Sequence, residues 1–155
     1  NYPVNLLLLG KTKESALSAR QKETLAELRY INPHIRYECV DISKSDTTEL
    51  QRVLATSSNA GAGLAAIFHL SGPYLPKQIL HEGPTSFLSA IAPKVFGAIN
   101  LYCCITGLSL TQDPRPFFVS SASAFVHLPA ADMSAYIASN AFLEAFQGEV
   151  LIYRM

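Results

Sequence analysis

Along the chain, short continuous apolar runs alternate with longer stretches in which apolar residues recur at helical spacing. Residues 4–9 are apolar except for Asn5, and Gly10 with Lys11-Thr12-Lys13 closes the run. That is the pattern of a strand buried on both faces. Residues 13–30 set Leu17, Leu25 and Leu28 among polar neighbours, which predicts an amphipathic helix after an irregular start, ended by Asn32-Pro33. Residues 35–40 read as a second strand, with Asp41 at its carboxyl end. A helix over 47–55 follows, with Ser45 or Asp46 as its cap. After a Ser/Asn/Gly/Ala linker at 56–63, residues 64–70 form a third buried strand.

The second half continues the alternation. Pro73, Pro76 and Pro84 make 73–84 a loop or broken helix, and 85–107 is a long helical stretch interrupted at Pro93. Residues 117–119 predict a strand, 120–131 a loop, 133–147 a helix and 150–155 a last strand. Strands and helices in this order imply right-handed crossovers and a parallel sheet. The fold class is therefore α/β, a Rossmann-like doubly wound sheet whose ligands bind beyond the carboxyl ends of the strands.

Composition narrows the function classes. A length of 155 residues favours one domain, and 49% hydrophobic against 15% charged residues excludes a disordered chain. Lys plus Arg and Asp plus Glu both number 12, so no cationic excess argues for nucleic acid. The apolar run at 4–9 is far shorter than the roughly 20 residues that span a bilayer, and it lacks a basic leader and cleavage site. The expectation is a soluble, cytoplasmic protein without a membrane partner. Cys39, Cys103 and Cys104 have no metal-ligand spacing, which predicts reduced, buried thiols and no metal. Gly61-Ala62-Gly63-Leu64-Ala65-Ala66 matches a dinucleotide fingerprint as a string. It precedes a strand, however, where the fingerprint must follow one, and so reads as a surface linker.

Candidate chemistry lies further on. Tyr136 and Asn140 are four apart and share one helix face. Their helix follows a strand ending in Ser120-Ser121, and Lys94 lies on the preceding long helix. Each has a plain explanation alone: a core aromatic, a turn, a solvated head group. Converging in one cleft, Lys, Tyr and Ser suit acid catalysis of carbonyl reduction. A free tyrosine has a pKa of about 10, and a neighbouring ammonium favours its ionised form.

Four segments, taken together, resemble a known family: Ala66-Ile67-Phe68-His69-Leu70-Ser71-Gly72, Ala92-Pro93-Lys94-Val95, Phe117-Phe118-Val119-Ser120-Ser121-Ala122, and residues 136–145. They are similar to the ketoreductase domains of modular polyketide synthases and of nonribosomal or depsipeptide synthetases, within the short-chain dehydrogenase/reductase superfamily. In this branch Asn follows Tyr by four residues, while Lys comes from an earlier Pro-Lys-Val helix. The resemblance implies catalytic places for Lys94, Tyr136, Asn140 and Ser121, with Ser123 as the alternative by spacing. It implies NADPH as cofactor, with Lys11 at the 2′-phosphate, Asp41 and Ile42 at the adenine, and Leu70, Ser71 and Gly72 under the ribose. The partners it implies are an acyl or peptidyl carrier protein, bearing the keto substrate on phosphopantetheine, and neighbouring megasynthase domains.

The resemblance begins at the family's second strand, Leu6-Leu7-Leu8-Leu9-Gly10-Lys11-Thr12, so the first strand and its glycine-rich turn have no counterpart. That turn holds the pyrophosphate on a helix N-terminus. These 155 residues alone are expected to bind NADPH poorly, to be inactive and to pack loosely, as one piece of a longer multidomain chain. The alternative reading is a non-catalytic ketoreductase-like subdomain that braces a megasynthase. The short return from Gln147 to the expected last strand points to absent residues there. Pro73-Tyr74-Leu75-Pro76 and Leu128 occupy the places of the family's stereochemical signatures without matching them, and α- and β-keto substrates both stay open.

Overall fold

The computed structural model describes residues 5–58, 64–73, 77–107, 117–120 and 132–152. Its strands are β1 (Leu6–Gly10), β2 (Ile35–Cys39), β3 (Ala66–His69) and β4 (Phe117–Ser120); its helices are α1 (Ala19–Ile31), α2 (Thr48–Ser58), α3 (Pro84–Gly107) and α4 (Ser134–Ile152). β1 pairs in parallel with β2 from Leu6↔Ile35 to Gly10↔Cys39. β3 pairs in parallel with β4 from Ala66↔Phe117 to His69↔Ser120. Helices cover both faces, as a doubly wound fold requires. Leu8 turns to a cluster with Leu17, Leu25, Ile35 and Leu28 on the α1 side, while Leu7 and Leu9 turn to Val40, Leu50, Val53, Leu54, Leu101 and Cys104 on the α2 and α3 side.

Local chemistry explains the helix starts. Ser18 caps α1 in a capping box: its hydroxyl accepts from Gln21 N at 3.3 Å, and its own N–H donates to the Gln21 side chain at 3.0 Å. A 3-10 turn at Glu14–Ala16 supplies the irregular start that the pattern predicted. Asp46 accepts from Thr48 N at 3.0 Å at the head of α2.

Four expectations need correction. The strand predicted at 150–155 is absent over its described part, because α4 continues through Gly148 to Ile152. A helical glycine costs only about 1 kcal/mol, and a short apolar run does not by itself separate strand from helix. No return crossover is then needed after Gln147. Pro93 does not interrupt α3, which runs unbroken for 24 residues. The carbonyl left without its helical donor belongs to Ser89, an exposed residue where water can serve.

The linker expected from residue 56 begins later, since α2 extends to Ser58. The thiols are not uniformly buried: Cys104 is, whereas Cys39 and Cys103 are exposed. The described strands form two parallel ladders, β1 with β2 and β3 with β4, in keeping with the expected doubly wound sheet that lacks its first strand. The resemblance puts the family's first strand between β1 and β3. The two halves nevertheless share a core, because Leu64 and Ile67 pack on the same cluster as Leu7 and Leu9.

By length and apolarity alone α3 could cross a membrane. Its buried stripe of Lys94, Gly97, Ala98, Leu101, Cys104 and Ile105 instead faces the protein interior. Residues 61–63 of the fingerprint match lie outside the described residues.

Candidate active site

Alternation along β3 sends Ile67 and His69 toward α3 and leaves Phe68 64% exposed on the other face. His69, at the strand's carboxyl end, is buried, and its Nε2 lies 3.3 Å from the Lys94 carbonyl while its Nδ1 lies 3.2 Å from the Ser71 hydroxyl. A neutral ring that donates from Nε2 and accepts at Nδ1 satisfies both contacts. Burial holds the imidazole below its usual range. The Lys94 charge adds to that effect, and the bond to the Lys94 carbonyl opposes it. The single Ser71 hydroxyl hydrogen is shared between His69 Nδ1 and the Pro93 carbonyl, which lies 3.3 Å from Oγ. The end of β3 is thus latched to α3 next to the proline.

That latch sets the backbone from which Lys94 projects. The Lys94 side chain is buried; its Nζ donates to Asn140 Oδ1 and sits 4.1 Å from the centre of the Tyr136 ring. Burial pushes the ammonium below the usual lysine range, and the charge of Tyr136 opposes the shift. Gly72 floors the lysine stem. It adopts φ +151°, and a Cβ there would lie 2.7 Å from Lys94 Cε, so only glycine allows this approach.

α4 supplies the other wall. Tyr136 and Asn140 lie one turn apart, Asn140 is wholly buried, and Ser139 Oγ donates to the Tyr136 carbonyl at 2.8 Å. The α3–α4 contact is aromatic further along, with Tyr102 edge-on to Phe146 at 5.8 Å. The head of α4 is tied down from the other side, where Lys77 N donates to the Asp132 carbonyl at 2.6 Å and Lys77 bridges Met133.

At the ends of β1 and β2 the remaining predicted residues gather. Lys11 is exposed just past β1, and its carbonyl lies 3.6 Å from Cys39 Sγ. Asp41 accepts from Ser43 N at 3.1 Å and Ser43 Oγ at 2.6 Å. The Ser43 hydroxyl contributes most to holding its carboxyl below the usual range, with the charges of Lys44 and Lys11 assisting. Ile42 lays its side chain on Gly97 of α3.

The structure therefore brings Lys94, Tyr136 and Asn140 into contact, and sets Leu70, Ser71 and Gly72 beyond β3 and Lys11, Asp41 and Ile42 beyond β1 and β2. Ser121 and Ser123 lie outside the described residues, as do Tyr74, Leu75, Pro76 and Leu128. Ser120 closes β4 opposite His69. Sequence reasoning assigned no role to His69 or Asn100. A histidine on the inward side of a strand end was the available signal for the first, and its partner, a backbone carbonyl, has no sequence signature.

Comparison with known proteins identifies the family. The model of the KR domain family matches residues 4–150. A mycocerosic acid synthase-like polyketide synthase of Mycolicibacterium smegmatis is 27% identical over 132 residues, which are 85% of this chain and 6% of that protein. Polyketide synthase PksL of Bacillus subtilis is 27% identical over 136 residues, 87% of this chain and 3% of that protein. The chain thus spans a small part of the multidomain relatives it matches. Among solved structures, a keto acid-selecting nonribosomal peptide synthetase module containing adenylation and ketoreductase domains superposes with TM-score 0.79 at 28% identity, covering 94% of this chain and 12% of that one. A ketoreductase domain from the bacillaene assembly line gives 0.77 at 25%, covering 96% and 34%. A short-chain dehydrogenase/reductase from Burkholderia phymatum, solved with NAD, shares the fold at TM-score 0.78 and 18% identity, covering 97% and 51%. With this parallel α/β frame and a match running through nearly its whole length, the chain belongs to the KR domain family, the ketoreductase domains of polyketide and nonribosomal peptide synthases.

Proposed function

We propose that these residues are the greater part of one ketoreductase domain in a longer multidomain chain. The domain reduces a keto group on an acyl intermediate tethered to a carrier protein, with NADPH as the reductant. The observation that carries this reading is the contact of buried Lys94 with both Tyr136 and Asn140. A purely structural brace needs no buried ammonium there, since burying a charge is unfavourable unless it is partnered.

The chemistry of the described side chains fits parts of the dinucleotide. Exposed Lys11 suits the 2′-phosphate, Asp41 with Ile42 the adenine, and the backbone of Leu70, Ser71 and Gly72 the ribose at the sheet's carboxyl edge. Among the described helices, α1 and α2 have their N-termini capped by Ser18 and Asp46, and neither is preceded by a glycine-rich turn for the pyrophosphate. When bound, the reduced nicotinamide supplies a hydride to the carbonyl carbon. Tyr136 gives its phenolic proton to the carbonyl oxygen, so that C=O becomes CH–OH. Lys94 stabilises the negative charge left on the ring it faces, and Asn140 holds Lys94 in place by accepting from its ammonium. Ser121 takes the hydrogen-bonding place at the carbonyl oxygen.

The test is reduction of a thioester-mimic ketone by the full domain, followed by the loss of reduced-nicotinamide absorbance. Tyr136→Phe is expected to lower kcat by about 10²–10⁴-fold. Wild-type turnover in that variant overturns the assignment.

A further inference from the structure

The helix that carries Lys94 toward Tyr136 also carries Asn100 toward the loop after β2. Asn100 Nδ2 lies 2.8 Å from the Ile42 carbonyl and 2.8 Å from the Lys44 carbonyl. Both partners are acceptors, so the amide nitrogen with its two hydrogens faces them, and both hydrogens are used. One turn earlier, Ile42 is seated on Gly97, where an added Cβ would come within 2.8 Å of Ile42 Cδ1. Between these two attachments the loop folds on itself, with Ser43 N and Oγ both donating to Asp41 Oδ1. The carboxylate is oriented by a turn, and the turn is pinned to α3.

We propose that Asn100 is a positioning residue for the dinucleotide: by holding the Ile42 and Lys44 carbonyls it fixes the loop that presents Asp41 and Ile42 to the adenine end. This rests on the dinucleotide reading given above. α3 then serves as a common strut, with Lys94 at the reacting end of the cofactor and Asn100 at the other. Asn100 touches neither cofactor nor substrate in this role. Its effect passes through the loop.

The experiment uses the full chain carrying Asn100→Ala and, at nearly equal volume, Asn100→Asp, which replaces the two N–H donors by acceptors. Asn100→Ser keeps one donor and grades the series. Hydrogen exchange is read first, without added dinucleotide. Amides of residues 42–46 are expected to exchange about tenfold faster in the Ala and Asp variants, and less so in Ser, while those of α2 keep their wild-type protection. Binding of adenosine 2′,5′-bisphosphate is then expected to weaken about tenfold, and KM for NADPH to rise by more than kcat falls. Unchanged loop exchange, or a loop and an α2 that loosen together, overturns the positioning role. A variant that binds the bisphosphate as wild type does overturns the proposal alone. A wild-type protein that fails to bind it overturns the proposal together with the dinucleotide reading.

Discussion

Lys94 carries a charge at a position that disfavours charge, and this has opposite consequences for stability and for chemistry. Its folded-state pKa lies below the ordinary 10.5, with burial as the main cause. Between that lowered value and 10.5 the folded state binds fewer protons than the unfolded one, so the stability contribution improves as pH rises through the window. Below the window the full desolvation cost stands. Lys94→Met is therefore expected to abolish the rise of the thermal midpoint with pH through that window, while turnover falls by at least about 10²-fold. Thermal unfolding and initial rates on one preparation check both. His69 has the same sign at a different pH. Its value lies below the ordinary 6.5, so as pH falls through 6.5 the unfolded state takes up a proton that the folded state refuses, and stability is lost. His69→Gln is expected to flatten the decline of the midpoint on acidification below that value; an unchanged slope places the acid-sensitive group elsewhere.

α3 is the element on which the site depends. Its stripe at Lys94, Gly97 and Asn100 meets two separate pieces of chain: the latch from β3 and the loop after β2, the latter through both the Ile42 side chain and the Ile42 and Lys44 carbonyls. At Gly97 a Cβ would stand 2.8 Å from Ile42 Cδ1 and 3.3 Å from the His69 ring. Gly97→Ala gains helix propensity yet is expected to destabilise by about 1–3 kcal/mol through overpacking, read from the denaturant midpoint. Ser18→Ala, at the α1 cap and far along the chain from α3, is expected to cost about 1 kcal/mol with kcat unaltered. If both variants changed kcat alike, the loss would reflect general softening and not the α3 contact.

At the scale of the whole molecule, two parallel ladders share one helical core without a described strand joining β1 to β3. In a parallel ladder successive amides point to opposite sides, so alternate N–H groups of β1 and β3 point away from β2 and β4. For the 155 residues alone, alternate amides in these two strands are expected to exchange much faster than their neighbours, and the inner amides of α2 and α3 to be the slowest. Uniform protection along β1 overturns this, because it requires a partner on its second side. A shared core held chiefly by α2 and α3 also predicts a shallow, weakly cooperative unfolding transition.

Local order was legible wherever a local cause sufficed. Apolar runs bounded by Gly10 or Asp41 marked the strands, Asn32-Pro33 marked the end of α1, and Ser45-Asp46 marked the head of α2, where Asp46 is the one that accepts from Thr48 N, because turn chemistry and capping act within a few residues. The four-residue spacing of Tyr136 and Asn140 put them on one face for the same reason. Residue identity and order also carried the family, and with it Lys94 as the third member of the cluster. The reach of α4 past Gly148 and the continuity of α3 through Pro93 were not legible, since a glycine costs a helix only about 1 kcal/mol and a proline about 3, and neither ends a helix by itself. Nor were the Asn100 and His69 contacts. Their partners are backbone carbonyls 58 and 25 residues away, for the Ile42 and Lys94 carbonyls respectively. Every residue but its neighbours offers such a carbonyl, so side-chain chemistry fixes what Asn100 and His69 can bind, while only the crossing of α3 over β3 and the loop after β2 decides which carbonyl they meet.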